Sequence, residues 1–155
     1  MNRDRLRRLF GIGPVGASLS LLLLAAALSI DRMLGHPKML PYGSLMKGIA
    51  VVLVLAGLGF HFWTMYTLRN WWVKNRLCTR GPFRWFRHPM YAGWITFVSL
   101  GAALYSNSWT LLLWVISLHL LWHRLVRREE KMMVEHFPQE CPSYATRTGR
   151  FIPRL

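Results

Sequence analysis

The sequence predicts an all-α integral membrane protein, a helical bundle of about four transmembrane helices. Hydrophobic residues make up 53% of the 155 residues and charged residues only 17%, a balance that is too apolar for a soluble domain of this size. The apolar residues are concentrated in long uncharged runs, and a helix needs about 20 such residues to cross a bilayer. The basic residues collect between these runs, as they do in membrane proteins.

Three apolar runs define the predicted spans. The first two runs give one span each, at about residues 11–30 and 48–68. The third run, residues 89–122, would be about 51 Å long as one helix, which exceeds a hydrocarbon core of about 30 Å. Because Ser106, Asn107 and Ser108 interrupt it, we predict a hairpin with spans at about 90–105 and 109–123. The chain is then a single membrane domain, residues 1–155, with a connector at 69–89 and a polar tail at 124–155.

The placement of lysine and arginine predicts the orientation of these spans. Four basic residues precede the first span, six lie in the connector and seven follow the fourth span, whereas only Arg32, Lys38 and Lys47 lie between the first two spans. The positive-inside rule therefore predicts cytoplasmic termini, connector and tail, in what we expect to be a bacterial inner membrane. Topology and anionic membrane lipids explain most of the net charge of +14, so nucleic acid is not the expected partner.

The N-terminal segment also resembles a secretory signal peptide, because arginines precede a leucine-rich run that ends near small residues. The uninterrupted length of that run favours a retained span. The two cysteines, Cys78 and Cys141, lack metal-type spacing and both fall on the predicted cytoplasmic side. We therefore expect reduced thiols and no metal site.

The segment that opens the third span carries residues suited to binding an anion. Pro89 fits the first turn of a helix, which places Arg87 and His88 at the helix entrance and Tyr91 on the first turn. Free backbone N–H groups and the helix dipole attract a carboxylate or phosphate to such a point. Gly93 allows close approach of another helix or of a ligand.

An acidic pair follows the fourth span on the same predicted side of the membrane. Glu129 and Glu130 lie on a helical extension that Pro138 is expected to stop. Neighbouring helical residues point about 100° apart, so we expect one glutamate to face the pocket and the other to pair with a basic neighbour on its own helix. The basic neighbours that we consider are Arg127, Arg128 and Lys131.

These residues together resemble the superfamily of isoprenylcysteine carboxyl methyltransferases and phospholipid methyltransferases. The resemblance lies in the pattern Arg-His-Pro-x-Tyr-x-Gly within Gly81 to Gly93, the hydrophobic hairpin, and the pair Glu129-Glu130. It continues to the ending Arg150-Phe151-Ile152-Pro153 and covers about residues 75–153. The resemblance implies a membrane S-adenosylmethionine-dependent methyltransferase that acts on a lipophilic small substrate, with the tail folding over the active site.

The resemblance also implies roles for individual residues. Glu129 is expected to hold the amino group of the cofactor, Arg124 or Arg127 to orient the substrate, and Tyr144 to contact it. Cys141 departs from the family pattern, because many members have an aromatic residue there. The residues expected to act in catalysis are Arg87, His88 and Glu130, and those expected to contact the cofactor are Asn75, Arg76, Leu77, Cys78, Phe83, His88, Pro89, Met90, Tyr91, Gly93 and Glu129.

The residue types also suit such a cofactor on chemical grounds. Glu129 suits an ammonium group, the helix entrance suits a carboxylate, and the faces of Phe83, Trp85 and Tyr91 suit an adenine or a sulfonium. Methyl transfer from a sulfonium is an in-line displacement that depends on alignment and on exclusion of water. A carboxylate or thiolate acceptor needs no general base, whereas an amine needs one, and Glu130 or His88 are then the candidates.

Three other functions remain open from the sequence. Membrane sterol reductases share an Arg-His-Pro-x-Tyr segment and use NADPH, although two adjacent glutamates would repel its phosphates. His119, His123 and His61 are candidate ligands for haem or a metal ion. A non-catalytic membrane assembly factor is the third alternative. The methyl acceptor and the oligomeric state are not predicted.

Overall fold

The computed structural model describes residues 12–39, 43–71 and 76–154, and these residues are mostly helical. Within those ranges there are no β-strands and only two isolated β-bridges. The long helices are α1 (Gly13–Met33), α2 (Ser44–Trp71) and α5 (Trp109–His136). Shorter elements are a 3₁₀ turn (Gly81–Arg84), α3 (Pro89–Ala92), a π-helical segment (Gly93–Val98), α4 (Ser99–Ser106) and α6 (Glu140–Arg147).

Three of the described helices are long and apolar enough to cross a membrane: Gly13–Met33, Ser44–Arg69 and Trp109–His136. They contain the first, second and fourth predicted spans, and the chain is an integral membrane protein. The second helix is longer than the predicted 48–68 at both ends. Gly11, the first residue of the predicted span 11–30, lies outside the described residues, as do the arginines before it and Asn75.

The hairpin predicted from the third apolar run is present. It consists of α3, the π-helical segment and α4 in one continuous arm, Pro89 to Ser106, followed by α5. Asn107 closes the turn in the left-handed conformation with φ 51°. The Ser108 hydroxyl then accepts a hydrogen bond from the Leu111 N–H at 3.2 Å, so Ser108 caps α5. The break in the sequence is thus a real helix boundary with an N-cap.

A buried carboxylate that the sequence did not single out joins α1 to this turn. Asp31, near the end of α1, accepts a hydrogen bond from the Ser108 hydroxyl. Its other oxygen lies 2.6 Å from Nδ1 of the exposed His36. Burial of a carboxylate is unfavourable unless it is hydrogen-bonded, and here both oxygens have partners. Asp31 therefore fixes the end of α1 against the hairpin.

Glycines bring α2 into backbone contact with the first arm of the hairpin. A Cβ atom on Gly57 would lie 2.7 Å from the Gly93 carbonyl oxygen, and one on Gly101 would lie 2.8 Å from the Ala50 carbonyl oxygen. Such close approach is typical of helix pairs in membranes. Of the two options that the sequence left open for Gly93, the structure shows the approach of another helix.

The C-terminal tail folds back into the helical bundle. After α6, Gly149 forms a parallel bridge with Phe86, and the fully buried Phe151 enters the main core cluster with Trp122 and Val126. The Phe151 carbonyl accepts a hydrogen bond from the Thr96 hydroxyl in the π-helical segment, at 3.1 Å. The tail is therefore part of the packing around the entrance of the third helical arm.

Candidate functional site

The backbone of the tail holds the Arg-His-Pro segment in place. Pro89 is the first residue of α3 and His88 caps it, as the sequence predicts. The Arg87 N–H donates to the Gly149 carbonyl at 2.7 Å, and the His88 N–H donates to the Arg150 carbonyl at 3.3 Å. Two segments that are about 60 residues apart in the chain thus present their side chains at the same point.

Glu130 is the centre of an ion-pair cluster at this point. Arg150 binds it in a bidentate manner, with N–O distances of 2.6 Å, 2.9 Å and 3.1 Å, and Nη1 of Arg87 lies 3.2 Å from it. The hydrogen bond to Glu130 raises the pKa of Arg150 above its ordinary value. Planar guanidinium groups suit this geometry, and bidentate pairs are the stronger kind of ion pair.

Glu129 faces the same cluster from its other side. Its Oε1 atom accepts hydrogen bonds from the Tyr91 hydroxyl and from the Ile12 N–H, each at 3.0 Å. The first contact joins α3, which carries the motif residue Tyr91, to the acidic pair. The second joins Glu129 to the backbone immediately before α1.

The expectation that one glutamate pairs with a basic neighbour on its own helix is wrong, because Glu130 pairs with Arg87 and Arg150. Neither glutamate needs a basic neighbour on α5, because both reach partners outside that helix. The physical reason is the position of His88, whose ring lies between them: Nδ1 is 3.5 Å from Glu129 and Nε2 is 3.6 Å from Glu130. An angle of about 100° between neighbouring side chains is enough to place them on two edges of one ring.

Among the described residues, two buried polar atoms of the cluster have no hydrogen-bond partner. They are Nε of Arg87 and Nε2 of His88, and both are buried. The His88 ring also stacks on Tyr91, with ring centroids 5.8 Å apart and an interplanar angle of 17°. Buried polar groups in native structures nearly always have partners, so these two nitrogens are candidate donors to an additional hydrogen-bonding group.

An apolar cavity of about 570 Å³ lies next to the cluster. Tyr91 belongs to both, since its hydroxyl contacts Glu129 and the residue lines the cavity. Trp122 packs against Tyr91 with ring centroids 4.3 Å apart. Residues from α1, α2, the hairpin and α5 complete the lining: Gly13, Ala17, Ser20, Leu21, Leu24, His61, Met90, Trp94, Ile95, Val98, Ser99, Ala102, Trp114 and Leu118.

Several predicted site residues instead form a buried cluster behind the 3₁₀ turn. Leu77, Cys141 and Tyr144 pack together there, and Cys78 is also buried. The Tyr144 hydroxyl donates to the carbonyls of Phe83 and Phe86, at 2.7 Å and 3.2 Å. Burial raises the pKa of the Cys78 thiol and of the Tyr144 phenol. In this structure Tyr144 therefore stabilises the connector and does not line the cavity.

The remaining predicted residues differ in their exposure. Met90 lines the cavity and Pro89 is fully buried at the start of α3. Phe83 is half-buried and offers its carbonyl to Tyr144. The side chains of Arg124 and Arg127 are both exposed on α5, so the structure does not choose between them as a substrate-orienting arginine.

Three histidines outside the motif, His61, His119 and His123, pack against aromatic rings. His119 and His123 contact the Phe151 ring with centroid distances of 6.2 Å and 4.9 Å, and His61 accepts a hydrogen bond from Nε1 of Trp94 at 3.1 Å. In the part of the chain that the structure describes, no group of three or more His, Cys, Asp or Glu residues is arranged to hold a metal ion.

Sequence reasoning missed four residues of the site. Arg150 was noted within the ending Arg150-Phe151-Ile152-Pro153 of the resemblance but was given no role. Ile12 acts through its backbone, which no residue pattern reveals. Trp114 and Trp122 are two of eight tryptophans, and only the packing of α5 against α1 distinguishes them.

Fold and site together define a class of protein: an integral membrane protein in which an ion-paired cluster adjoins an apolar cavity. A family model described as phospholipid methyltransferase matches residues 45–140, and the chain belongs to this family of membrane methyltransferases. The family lies in the superfamily that the sequence motifs resemble, so that resemblance is confirmed. The sterol-reductase alternative has no support from these comparisons.

Two curated proteins are similar to part of the chain. The nickel-cobalt-cadmium resistance protein NccN of Alcaligenes xylosoxydans xylosoxydans is 32% identical over 101 residues, which cover 59% of this chain and 46% of that protein. The cobalt-zinc-cadmium resistance protein CzcN of Cupriavidus metallidurans is 35% identical over 83 residues, which cover 53% of this chain and 38% of that protein. The matched part thus spans less than half the length of either relative.

Proposed function

We propose that the chain is an S-adenosylmethionine-dependent methyltransferase that acts on a lipophilic small molecule, with its reaction centre beside Tyr91. The observation that carries this proposal is that Tyr91 belongs to the ion-paired cluster through its hydroxyl and to the apolar cavity through its ring. A charged methyl donor and a lipophilic acceptor need such adjoining polar and apolar sites. Membership of a membrane methyltransferase family supports the same function.

The cluster has the donors and acceptors that the amino acid part of the cofactor requires. The present partners of Glu129 are hydrogen-bond donors, an O–H and an N–H, so an ammonium group suits the same carboxylate. The unpartnered Nε of Arg87 and Nε2 of His88 suit a carboxylate. The residues that would hold the cofactor are thus Glu129 on one side and Arg87 with His88 on the other.

When bound, S-adenosylmethionine supplies an electrophilic methyl group on a sulfonium. The rings of Tyr91 and Trp122, 4.3 Å apart, give this region an aromatic surface that attracts a cationic centre. The fully buried Phe151 packs against His88 and keeps this side of the cluster closed to water. The cavity would hold the acceptor beside Tyr91, and this positioning would contribute to the rate enhancement.

The geometry also separates the two candidates for a general base. Glu130 is held by Arg87 and Arg150, and these cations stabilise its charged form, which makes it a weak base. His88 contacts both glutamates and keeps one unpartnered nitrogen. We therefore assign Glu130 a positioning role and His88 a binding role, because the ring nitrogen that donates to the cofactor carboxylate cannot also accept a proton.

Calorimetry with S-adenosylhomocysteine tests the proposal, because this molecule keeps the ammonium and the carboxylate of the cofactor. The purified protein is expected to bind it. Glu129→Gln is expected to lower the affinity roughly 10- to 100-fold, since a charge-assisted contact is worth about 1.5–3 kcal/mol. Glu135→Gln, an exposed site on the same helix, is the matched control and should bind like the wild type.

Two results would contradict the assignment. If the wild type binds neither S-adenosylhomocysteine nor S-adenosylmethionine, the proposed cofactor is wrong. If Glu129→Gln binds S-adenosylhomocysteine as tightly as the wild type does, Glu129 does not contact the cofactor. If binding is found, transfer of a labelled methyl group to a lipid extract identifies the acceptor as a carboxylate, a thiol or an amine.

We further propose four spans with both termini in the cytoplasm of a bacterial cell, the third span being the arm from Pro89 to Ser106. At 1.5 Å per residue this arm is about 27 Å long, close to the thickness of a hydrocarbon core. The 28 residues of α5 reach about 42 Å, so its charged end extends beyond the membrane. The ion-paired cluster then lies at the cytoplasmic interface.

Labelling of single cysteines tests this topology in intact cells, in a variant that lacks Cys78 and Cys141. A cysteine at exposed His36 is expected to react with a membrane-impermeant maleimide, whereas a cysteine at exposed Arg128 is expected to react only after lysis. The reverse labelling pattern would mean that the protein has the opposite orientation in the membrane. Reaction of both positions in intact cells would place them on the same side of the membrane and would rule out the three spans proposed between them.

A further inference from the structure

The indole ring of Trp122 lies against two residues of α1 that are one helical turn apart. Its Nε1 atom donates to the Ser20 hydroxyl at 2.9 Å, and that hydroxyl donates to the Gly16 carbonyl at 2.7 Å. The ring itself rests on Gly16, where a Cβ atom would lie 2.5 Å from Cη2 and 2.7 Å from Cζ2 of the indole. Gly16 thus provides the space for the ring, and Ser20 provides the acceptor for its N–H group.

Trp122 in turn contacts Tyr91, the residue that joins the charged cluster to the apolar cavity. The ring centroids of Trp122 and Tyr91 are 4.3 Å apart. Tyr91 has two further contacts, the hydrogen bond to Glu129 and the stacking on His88, and both belong to the cluster. Of these three partners only Trp122 lines the cavity. The position of the Tyr91 ring relative to the cavity therefore depends on the Trp122 indole.

Helix packing alone explains Gly16 but not Ser20. Small residues four apart are common where membrane helices pack closely, and α1 packs against α5 at this point. An apolar side chain at position 20 would pack as well as serine, but it would leave the indole N–H without its acceptor. An N–H group that is removed from water without an acceptor is unfavourable, so the ring would then favour another position.

We propose that Ser20 is a positioning residue of the reaction centre, which holds the Trp122 indole against Tyr91 and so fixes the cavity wall beside it. Ser20 precedes residues 45–140, the part of the chain that the family model matches. The first span would thereby take part in the reaction without contacting the cofactor. The term reaction centre rests on the proposed function, whereas the coupling of Ser20 to Tyr91 requires neither cofactor nor methyl transfer.

Nuclear magnetic resonance of the full chain in detergent micelles measures this coupling. One sample carries ¹⁵N-tryptophan, and its Trp122 indole signal is assigned through Trp122→Phe. A second carries tyrosine with a ¹³C-labelled ring, and its Tyr91 signal is assigned through Tyr91→Phe. Because the ring current of an indole acts over only a few ångströms, the Tyr91 signal reports the position of Trp122.

Ser20→Ala is expected to move the Trp122 indole signal upfield, through loss of the acceptor, and to shift the Tyr91 ring signal as well. Ser20→Thr keeps a hydroxyl and should leave both signals near those of the wild type. Ser18→Ala is the matched control, because the Ser18 hydroxyl also donates to a carbonyl four residues earlier, that of Pro14, but is exposed. It should change neither signal.

Transfer of a labelled methyl group from S-adenosylmethionine to a lipid extract measures the consequence for the reaction. Ser20→Ala is expected to lower kcat per folded molecule about two- to tenfold, the effect of one hydrogen bond, and to leave the Kd of S-adenosylhomocysteine unchanged. In the Trp122→Phe background, which lacks the N–H donor, the same substitution should have no further effect on kcat. A purely structural role would lower the folded fraction and leave kcat per folded molecule as it is.

Three outcomes would overturn the inference. In the first, Ser20→Ala leaves the Trp122 signal in place, so that the hydroxyl is not its acceptor. In the second, the Trp122 signal moves while that of Tyr91 does not, so that Ser20 only joins α1 to α5. In the third, both signals move and kcat per folded molecule stays the same. A wild type that transfers no methyl group would count against the proposed function, while the two signals still decide whether Ser20 positions Tyr91.

Discussion

Gly57→Ala is expected to destabilise the protein by about 3 kcal/mol, at the upper end of the range for an overpacked core. The added Cβ would lie 2.7 Å from the Gly93 carbonyl oxygen and 2.8 Å from side-chain atoms of Phe97 and Val98. The first of these is a backbone atom, so no rotamer change relieves the contact. Helix α2 must move away from the π-helical segment, and that segment carries cavity residues. Equilibrium unfolding in mixed detergent micelles measures the loss.

Gly59→Ala is the matched control for this experiment. It lies on the same helix, and a Cβ atom there would meet nothing within 4 Å. Alanine also has a higher helix propensity than glycine by about 1 kcal/mol, so this variant should be neutral or more stable. Equal stability of Gly57→Ala and Gly59→Ala would mean that α2 does not contact Gly93 at the distance described.

Arg150→Met is expected to reduce the stability by about 3 kcal/mol and to lower methyl transfer. Methionine keeps much of the side-chain volume, so the loss comes from the bidentate contacts to Glu130 at 2.6–3.1 Å. Removal of one partner leaves Glu130 with Arg87 and His88 alone, next to the charge of Glu129. Breaking a buried pair typically costs about 3–5 kcal/mol, and the partial exposure of Arg150 places this case at the lower end.

A double variant distinguishes charge from packing in this result. Glu130→Gln in the Arg150→Met background removes the uncompensated carboxylate and is expected to recover part of the lost stability. Arg128→Met, an exposed position on α5, is the control for loss of an arginine and should remain close to wild type. If Arg150→Met behaves like Arg128→Met, the ion pair does not hold the tail against the cluster.

Much of the fold could be predicted because a bilayer restricts the choices. Backbone polar groups in hydrocarbon must bond within their own segment, so an apolar run of sufficient length can only be a helix. The break at Asn107 and the start of α3 at Pro89 were predicted from local chemistry, since turn residues and proline act within a few residues of themselves. The π-helical segment, which packs closely against Gly57, was not predicted.

The candidate site could be predicted in part. The motif segment and the acidic pair were expected to share one site, and Tyr91 contacts Glu129 at 3.0 Å, but of these two residues only Tyr91 lines the cavity. The prediction that one glutamate pairs with a basic residue of α5 was wrong. It considered only the angles between side chains on that helix and not the ring of His88, which lies between the two glutamates. Arg150 reaches Glu130 only because the tail turns back beside Phe86, and no local pattern encodes a contact of that kind.

By itself the sequence determined that this is a helical membrane protein, where the hairpin turns, and which motif and acidic pair to examine, because these features depend on hydrophobicity and on neighbours in the chain. Only the tertiary structure decided that both glutamates face one cluster, that Arg150 binds Glu130, and that an apolar cavity adjoins Tyr91. The physical reason is that these features arise where α1, the hairpin and the tail pack together. Packing between distant segments depends on shape and on close contact, and neither is visible in the order of residues.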